Sequence, residues 1–279
     1  MAINIKKVSD EITQQIIEDY KKGKSMRQIE KDYDVTRRSV AQFLEEKQIK
    51  TTKGNHYRKY IHQYDFFEKI DTEEKAYWLG FMFADGYILD NSNRHGEDSF
   101  GITLNSKDIE TLEQFKRSIQ STNPIKDVSS NGRQLHRILM TSQKTVNDLI
   151  KHGCVKQKSL ILEPPLGIPD DLIHHFIRGF FDGDGSIFWN KSQFERHENW
   201  NTPSYSICIT STKKMIEWII DQVGFGNIHK EGRREKTWYY KQSGNLKIKQ
   251  FCQYIYKDAT IFMERKYQLY QDLLKYTER

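Results

Sequence analysis

The chain has 279 residues, which is room for about two domains of ordinary size. Hydrophobic residues make up 37% of the chain, enough for packed cores, and this excludes a wholly disordered protein. The formal net charge of +6 at pH 7 suits a polyanionic partner, although many ordinary proteins share such an excess.

The cysteines and the N-terminal sequence exclude further classes. Three cysteines stand far apart without a CxxC pair, which argues against a disulfide framework and against a zinc site. The N-terminal sequence MAINIKKVSD lacks the apolar core of a signal peptide, and no run of residues approaches a membrane span. We therefore expect a soluble, intracellular protein in the cytoplasm, associated with the nucleoid if it comes from a bacterium or phage.

Residues 1–50 predict a small all-α domain of three helices. Asp10 is expected to cap a first helix that ends at Gly23, Ser25 begins a second, and Thr36 caps a third. Two short helices joined by a tight turn resemble a helix-turn-helix DNA reader, in which the start of the second helix contacts base edges. An ordinary three-helix bundle has the same pattern, so both interpretations stay open here. The candidate DNA contacts are Arg37, Arg38 and Gln42.

Residues 51–70 are interpreted as a basic linker. The stretch at 51–64, TTKGNHYRKYIHQY, contains three tyrosines and two histidines but no acidic residue. Such a stretch suits a path along DNA phosphates, and it is equally typical of a solvated linker. Its candidate DNA contacts are Lys53, Arg58 and Lys59.

Two stretches of the chain, WLGFMFADG at 78–86 and IRGFFDGDG at 177–185, have nearly the same pattern. Each is an apolar run, predicted to be helical, with two small residues four apart and an Asp-Gly at its end. Residues four apart share one face of a helix, and small residues allow two helices to pack backbone to backbone. The small residues are Gly80 and Ala84 in the first stretch, and Gly179 and Gly183 in the second.

If these two helices pair, Asp85 and Asp184 emerge side by side at their C-terminal ends. Both helix dipoles are negative there, so two carboxylates are unfavourable unless a cation lies between them. The repeated pattern therefore predicts a metal site. Gly86 and Gly185, which follow the two acids, are predicted to end the helices as left-handed C-cap glycines.

The chain then repeats one order of predicted elements after each motif: helix, hairpin, helix, hairpin, helix. In the first repeat Asp71 is expected to cap the motif helix, and the later elements are placed at 87–89, 100–104, a helix after Ser106, 125–128, 135–140 and 146–150. In the second repeat they are placed at 187–189, 205–209, a helix after Ser211, 227–230, 237–241, 246–256 and 260–276. The offset between repeats grows by six residues from the aspartates to the serines, which predicts a six-residue insertion in the loop between Trp189 and Tyr205.

The paired motifs resemble those of LAGLIDADG homing endonucleases that carry two motif copies in one chain, over residues 65–279. Asp85 and Asp184 match the acidic metal ligand at the eighth of nine motif positions. Asp182 matches an acidic sixth position from which Phe83 departs, so that position is interpreted as structural. The resemblance implies an α+β fold, a pseudo-twofold duplicated αββαββα unit with two antiparallel sheets forming a saddle. Its repeats would span 71–165 and 166–279, after the small all-α N-terminal domain.

The resemblance also implies a site-specific endonuclease that hydrolyses both strands of double-stranded DNA at an asymmetric target. Asp85 and Asp184 would each serve one strand, with the backbone carbonyls of Ala84 and Gly183 as further metal ligands. Mg²⁺ suits a site with few carboxylates, and Mn²⁺ is expected to substitute. The expected protein is a monomer with internal pseudo-twofold symmetry and no membrane partner.

A basic residue near each active centre is also usual in this family. Lys158 and Lys266 match that position at the end of each repeat, where a lysine polarises the attacking water or offsets phosphate charge. Lys156 and Arg265 remain alternatives, and a surface lysine would look the same in sequence.

The alternating strands give each sheet one buried face and one open face, and the open faces would form a platform for a duplex. The candidate base readers on or beside these strands are Arg133, His136, Asn190, Gln193 and Lys241. Two other functions fit the same resemblance: a DNA-binding transcriptional regulator without catalysis, and an intron RNA maturase. Because regulators on this fold tend to lose the acidic motif positions, the presence of both Asp85 and Asp184 favours the enzyme.

Overall fold

The structure is a computed structural model that describes residues 4–5, 8–21, 24, 26–47, 49, 60–91, 96–130, 132–189, 203–232 and 236–277. The chain divides into two compact units, Met1–Tyr60 and Ile61–Arg279. Several predicted features lie outside the described residues: Gly23, Ser25, Lys53, Arg58, Lys59, Asn190 and Gln193. Within the described part of the chain, no helix is both long enough and apolar enough to span a membrane.

The described part of the first unit contains three helices, as predicted. They are α1 (Asp10–Lys21), α2 (Met26–Tyr33) and α3 (Arg37–Glu46). Thr36 caps α3, because its side chain accepts a hydrogen bond from the backbone N–H of Ser39. Asp10 is the first residue of α1, and the backbone carbonyl of Ser9 accepts from the N–H of Thr13, so the predicted cap is one residue late.

The second unit contains the two predicted repeats. The helices are α4 (Glu73–Ala84), α5 (Ile109–Ser118), α6 (Gln143–Lys151), α7 (Ile173–Asp184), α8 (Lys213–Val223), α9 (Asn245–Ile255) and α10 (Glu264–Thr277). The strands are β1 (Gly86–Leu89), β2 (Ser99–Asn105), β3 (Lys126–Ser130), β4 (Arg133–Thr141), β5 (Gly185–Trp189), β6 (Tyr205–Ser211), β7 (Asn227–Lys230) and β8 (Trp238–Ser243). They form two antiparallel sheets with the orders β1-β2-β4-β3 and β5-β6-β8-β7, which confirms the predicted fold.

Each sheet has one face in the core of the unit. Ile102 pairs with Ile138 in the first sheet and Ile209 pairs with Tyr240 in the second, and all four side chains are fully buried. The opposite side of each sheet carries the alternate residues of the strands. We call it the open face. It bears the pair Thr103 and Arg137 in the first sheet, and the pair Cys208 and Lys241 in the second.

The two motif helices α4 and α7, the seam helices, pack against each other at the junction of the repeats. A Cβ atom on Gly80 would lie 2.0 Å from the carbonyl oxygen of Phe176, and one on Gly179 would lie 1.9 Å from that of Tyr77. Any larger residue at either glycine would force the two backbones apart. The predicted backbone-to-backbone packing is therefore confirmed.

The predicted left-handed caps at Gly86 and Gly185 are wrong. Neither glycine has a positive φ, because the chain passes from each seam helix straight into a strand. Both glycines are needed for close approach instead. A Cβ on Gly86 would lie 2.6 Å from the Cα of Met82, and one on Gly185 would lie 2.5 Å from the carbonyl oxygen of Phe181.

Other predicted boundaries shift slightly. Thr72, not Asp71, is the N-cap of α4. Thr212, which directly follows β6, is the N-cap of α8. Residues 61–70, predicted as linker, belong to the second unit, since three of their apolar side chains are buried in its core. The connection between the first two strands runs over 90–98 in one repeat and 190–204 in the other, which places the six-residue insertion where it was predicted.

Candidate active site

The two motif acids emerge at the C-terminal ends of the seam helices. Asp85 is the residue that follows Ala84 and ends α4, and Asp184 is the last residue of α7. Burial and the negative charge of Asp85 raise the pKa of Asp184 to about 7, although the side chain keeps access to solvent at the end of its helix. Burial also raises the pKa of Asp85, against the opposing effect of the lysines at the site.

A lysine lies beside each of these helix ends. Lys158 donates a hydrogen bond to the carbonyl oxygen of Gly86. Lys266 donates to the equivalent carbonyl of Gly185, and also to those of Phe181 at 2.6 Å and Asp182 at 2.7 Å. The structure therefore brings Lys158 and Lys266 to matching places, each against the residue that directly follows a motif acid.

Lys266 is almost completely buried, with 2% of its surface exposed. Burial lowers its pKa to about 8, and the charge of Asp182 opposes that effect. A pKa of about 8 leaves the ammonium group mostly protonated at neutral pH, and its three hydrogen bonds to backbone carbonyl oxygens hold it in place. Those contacts fix the charge next to the two acids.

The two alternative basic residues are engaged elsewhere. Lys156 forms ion pairs with Asp90 at 2.9 Å and Asp98 at 2.8 Å. Arg265 forms an ion pair with Asp108 at 2.7 Å, which joins the start of α10 to the first repeat. The charges of Lys158 and Lys266 act on both acids, because each of them opposes the rise in the pKa of Asp85 and of Asp184.

The site suits a hard divalent cation. The two helix ends offer the carboxylates of Asp85 and Asp184, and Mg²⁺ prefers oxygen ligands. Both carboxylates are held where their ionised forms are disfavoured, and a cation between them would relieve that cost. No group of three or more His, Cys, Asp and Glu side chains that could hold a metal is found among the described residues. A Mg²⁺ ion held by the two carboxylates alone would keep positions for water and phosphate oxygens.

Asp182 has a structural position, as interpreted from the sequence. Its side chain is fully buried, and Oδ2 accepts hydrogen bonds from the hydroxyl of Tyr77 at 2.9 Å and from the backbone N–H of Met263 at 2.8 Å. Burial raises the pKa of this carboxyl group. Asp182 thus ties α7 to α4 and to the segment that begins α10, where Lys266 lies.

Comparisons with known proteins agree with this geometry. The family model described as LAGLIDADG endonuclease matches residues 177–277, which run from α7 to the end of α10. The first repeat has the same strand order as this matched repeat and packs its own acid-tipped helix against it. The match covers the second repeat, a little over a third of the chain, and shows that this repeat is similar to LAGLIDADG endonucleases.

Solved structures of LAGLIDADG proteins have the same fold. The I-LtrWI LAGLIDADG homing endonuclease bound to target DNA is 13% identical, with a TM-score of 0.52 over 74% of this chain and 91% of that chain. The LAGLIDADG meganuclease I-AabMI bound to uncleaved DNA is 14% identical, with a TM-score of 0.52 over 72% and 89%. No curated protein matches this chain.

Sequence reasoning missed one polar cluster of the second unit. Arg178 is fully buried in α7 and donates to Glu73 in the first turn of α4 at 2.6 Å. It also donates to the carbonyl oxygens of Ile255 and Ile261 and to Nδ1 of His175, each at 2.7–2.8 Å. The only sequence signal was a charged residue inside an apolar run, which does not reveal a partner 105 residues away.

The described candidate DNA contacts occur in both units of the chain. Arg133 and Lys241 lie on the open faces, and the Lys241 ammonium is 5.1 Å from the ring centre of Tyr239. His136 lies on the other face of its strand, in register with buried Leu104 and 2.8 Å from a carboxylate oxygen of Asp127. The three candidates in the first unit, Arg37, Arg38 and Gln42, are exposed on α3, where Arg37 pairs with Glu30 at 2.8 Å.

Proposed function

We propose that this protein is a site-specific endonuclease of the LAGLIDADG type, which hydrolyses both strands of an asymmetric DNA target with divalent metal ions. One observation carries the proposal: Asp85 and Asp184 end two helices that pack backbone to backbone, and a lysine lies beside each helix end. A site with two acids and two lysines in pseudo-twofold positions suits a substrate with two similar strands.

Phosphodiester hydrolysis needs an activated water, relief of charge at phosphorus and a stabilised leaving oxygen. A divalent ion supplies all three when it is bound. Asp85 and Asp184 would hold it with their carboxylates, together with the carbonyl oxygens of Ala84 and Gly183. Mg²⁺ is the proposed ion, because the protein offers few ligands and all of them are oxygens. Mn²⁺ is expected to substitute.

Lys158 and Lys266 contribute fixed positive charge. Each ammonium group is held by backbone carbonyls, so it needs no rearrangement when negative charge develops on a phosphate beside it. Lys266 holds its proton at Nζ near neutral pH, since its pKa of about 8 lies above that range. The proposed role of both lysines is to offset phosphate charge or to orient the attacking water.

The open faces of the two sheets are proposed to hold the duplex. Their residues differ between the repeats, for example Arg137 in the first sheet and Lys241 in the second, and this difference favours an asymmetric target. Arg133 and Lys241 are proposed contacts to bases or phosphates. In the first unit, exposed Arg38 and Gln42 on α3 are proposed to add contacts in the manner of a helix-turn-helix reader.

Both acids come from one chain, so we propose that the protein acts as a monomer. An enzyme whose substrate is cellular DNA acts inside the cell, and we propose an intracellular, cytoplasmic site of action. Lys53, Arg58, Lys59, Asn190 and Gln193 stay predicted contacts to DNA.

The test is a selection of cleaved sites from a randomised double-stranded DNA library with Mg²⁺. Wild type is compared with Asp85→Asn, Asp184→Asn and the control Asp221→Asn, whose carboxylate is exposed on α8. We expect wild type and the control to yield one asymmetric target, and the two motif variants to bind it without cutting. Binding without cleavage by all four proteins would instead identify a regulator. Preferential binding of intron RNA would identify a maturase.

A further inference from the structure

Two large apolar side chains stand exposed on the open faces. Leu89 at the end of β1 is 41% exposed, and Phe188 on β5 is 49% exposed. Leu89 is in register with Ser99, and Phe188 with Ser206, which places both on the open face of their sheet. Both strands are edge strands, so neither side chain has a second cross-strand neighbour.

The third exposed apolar side chain on a described strand, Trp189, has a partner. It lies on the helix side of β5 and stacks on the ring of Tyr205, with ring centres 6.5 Å apart. The serines opposite Leu89 and Phe188 are too small to cover them in the same way. Among the described strands, Leu89 and Phe188 are therefore the two large apolar side chains that stand exposed on the open faces.

Leu89 and Phe188 occupy equivalent places in the two repeats. Each lies four residues after a motif acid, Asp85 or Asp184, and each is on the first strand that leaves its seam helix. Four residues of strand cover about 13 Å, which equals about four base-pair steps of DNA. The pseudo-twofold relation thus puts one apolar group at the same distance from each acid.

The open face beside Phe188 carries Ser206, Ser243 and Lys241, and the open face beside Leu89 carries Ser99 and Thr141, with half-buried Leu139 further along β4, so each exposed apolar patch is small. A small isolated patch does not suit protein docking, which needs a broad apolar surface. On a face that meets a duplex, an apolar side chain finds one apolar group in the major groove, the C5 methyl of thymine.

We propose that Leu89 and Phe188 read thymine, one in each half of the target, through van der Waals contact with its C5 methyl group. This inference rests on the proposed function, because it needs DNA on the open faces. It places the two thymines on opposite strands, at matching distances from the two cuts. The larger Phe188 ring covers more of a methyl group, so the half-site of the second repeat shows the stronger preference.

The test replaces each thymine of the selected target, one at a time, by deoxyuridine, which lacks only the methyl group. With wild type we expect one position in each half to lower kcat/KM about fourfold, the worth of one buried methyl group. Leu89→Ala should abolish this sensitivity in one half only, and Phe188→Ala in the other half only. The matched control is Leu246→Ala, which shortens an exposed leucine on α9.

The half-site pattern separates base reading from a general loss of fold, and the unchanged half serves as an internal control within each variant. The inference is overturned if deoxyuridine is tolerated at every position, or if the sensitivity persists in the alanine variants. In both cases cleavage of the thymine target would leave the proposed function standing. If wild type cuts no DNA in the library, the proposed function fails and this inference fails with it.

Discussion

The two seam helices occupy equivalent places in the two repeats, but their interiors differ. α4 buries no charged side chain from Ala76 to Phe83. α7 buries His175, Arg178 and Asp182 among its aromatic residues. The two helices have the same residue types at their mutual contact, which is glycine in both, and at their C-terminal ends, where each has an aspartate. Their other buried residues differ.

This comparison separates the features that occur in both repeats from those that occur in one. Both seam contacts have glycine, and both tips have an acid beside a lysine. The polar residues of α7 serve another purpose, since they bind the segment at 255–263 that leads into α10 and to Lys266. The second lysine is therefore held by a polar cluster that the first repeat lacks, whereas Lys158 is placed by a short helical turn at Lys158–Leu160.

The largest expected effect is the loss of cleavage in Asp85→Asn and Asp184→Asn. Each change removes one carboxylate ligand, and the loss of metal-based charge stabilisation should lower the rate of double-strand cleavage by about 10³-fold or more. Binding of the target in metal-free buffer should stay within about threefold of wild type, because the amide keeps the shape of the side chain. Strand-resolved gels and a binding titration measure the two effects.

The two variants should behave alike if the acids are equivalent. Cleavage of both strands at the wild-type rate by either variant would show that the two acids are not equivalent.

The next effect tests the asymmetric interior. Arg178→Leu gives α7 a leucine at the position where α4 has Leu79, and it leaves Glu73 without its guanidinium partner. Because one partner of a buried ion pair is removed, we expect a loss of about 3–5 kcal/mol in the free energy of unfolding. Urea denaturation measures the change. The double variant Arg178→Leu with Glu73→Gln should recover part of it, and a loss below about 1 kcal/mol in the single variant would contradict the role of the cluster.

Substitution of either seam glycine, Gly80 or Gly179, should lower the stability of the protein by a similar amount. An added Cβ at Gly80 or Gly179 would overlap a carbonyl oxygen of the facing helix, so each alanine variant should lose about 3 kcal/mol of stability. The control is Gly232→Ala, where an added Cβ meets no atom within 4 Å. Thermal unfolding of the three variants checks the prediction, and similar melting temperatures for all three would refute close packing at the seam.

A smaller effect concerns pH. Burial, followed by the charge of Arg178, lowers the pKa of His175 to about 4, and Nδ1 of the ring accepts a hydrogen bond from Arg178. The folded state therefore holds this histidine neutral. Its contribution to stability is present above the unfolded pKa of about 6.5 and is lost as the pH falls through about 4.

We expect wild type to lose about 2 kcal/mol more than His175→Gln between pH 7 and pH 4, because glutamine has no proton to gain. Unfolding by urea across this pH range measures the difference. Parallel pH curves for the two proteins would show that His175 is not held neutral.

Much of the fold was predictable because it depends on short-range patterns that occur twice. The Gly80 and Gly179 spacing, the acids at helix ends and the strand order all follow from local periodicity and from the duplication. The cap at Asp71 was one residue early, since Thr72 offers an equivalent oxygen to the same helix start.

Other features depend on register or on distant contacts, which one sequence does not encode visibly. A shift of one residue moves a side chain to the other face of a sheet, and this is why His136 was grouped with residues of the open face. The left-handed glycine caps failed because the following strand, not a turn, sets the backbone at Gly86 and Gly185. Arg178 and Glu73 meet only after the repeats have packed together.

The central claim is that one metal centre is shared by two acid-tipped helices beneath a duplex. Anomalous scattering from Mn²⁺ in crystals of the DNA complex tests it most directly. The account predicts density in contact with the carboxylates of both Asp85 and Asp184 and with a phosphate of each strand. Anomalous density confined to other residues, in crystals that contain cleaved DNA, would contradict the account.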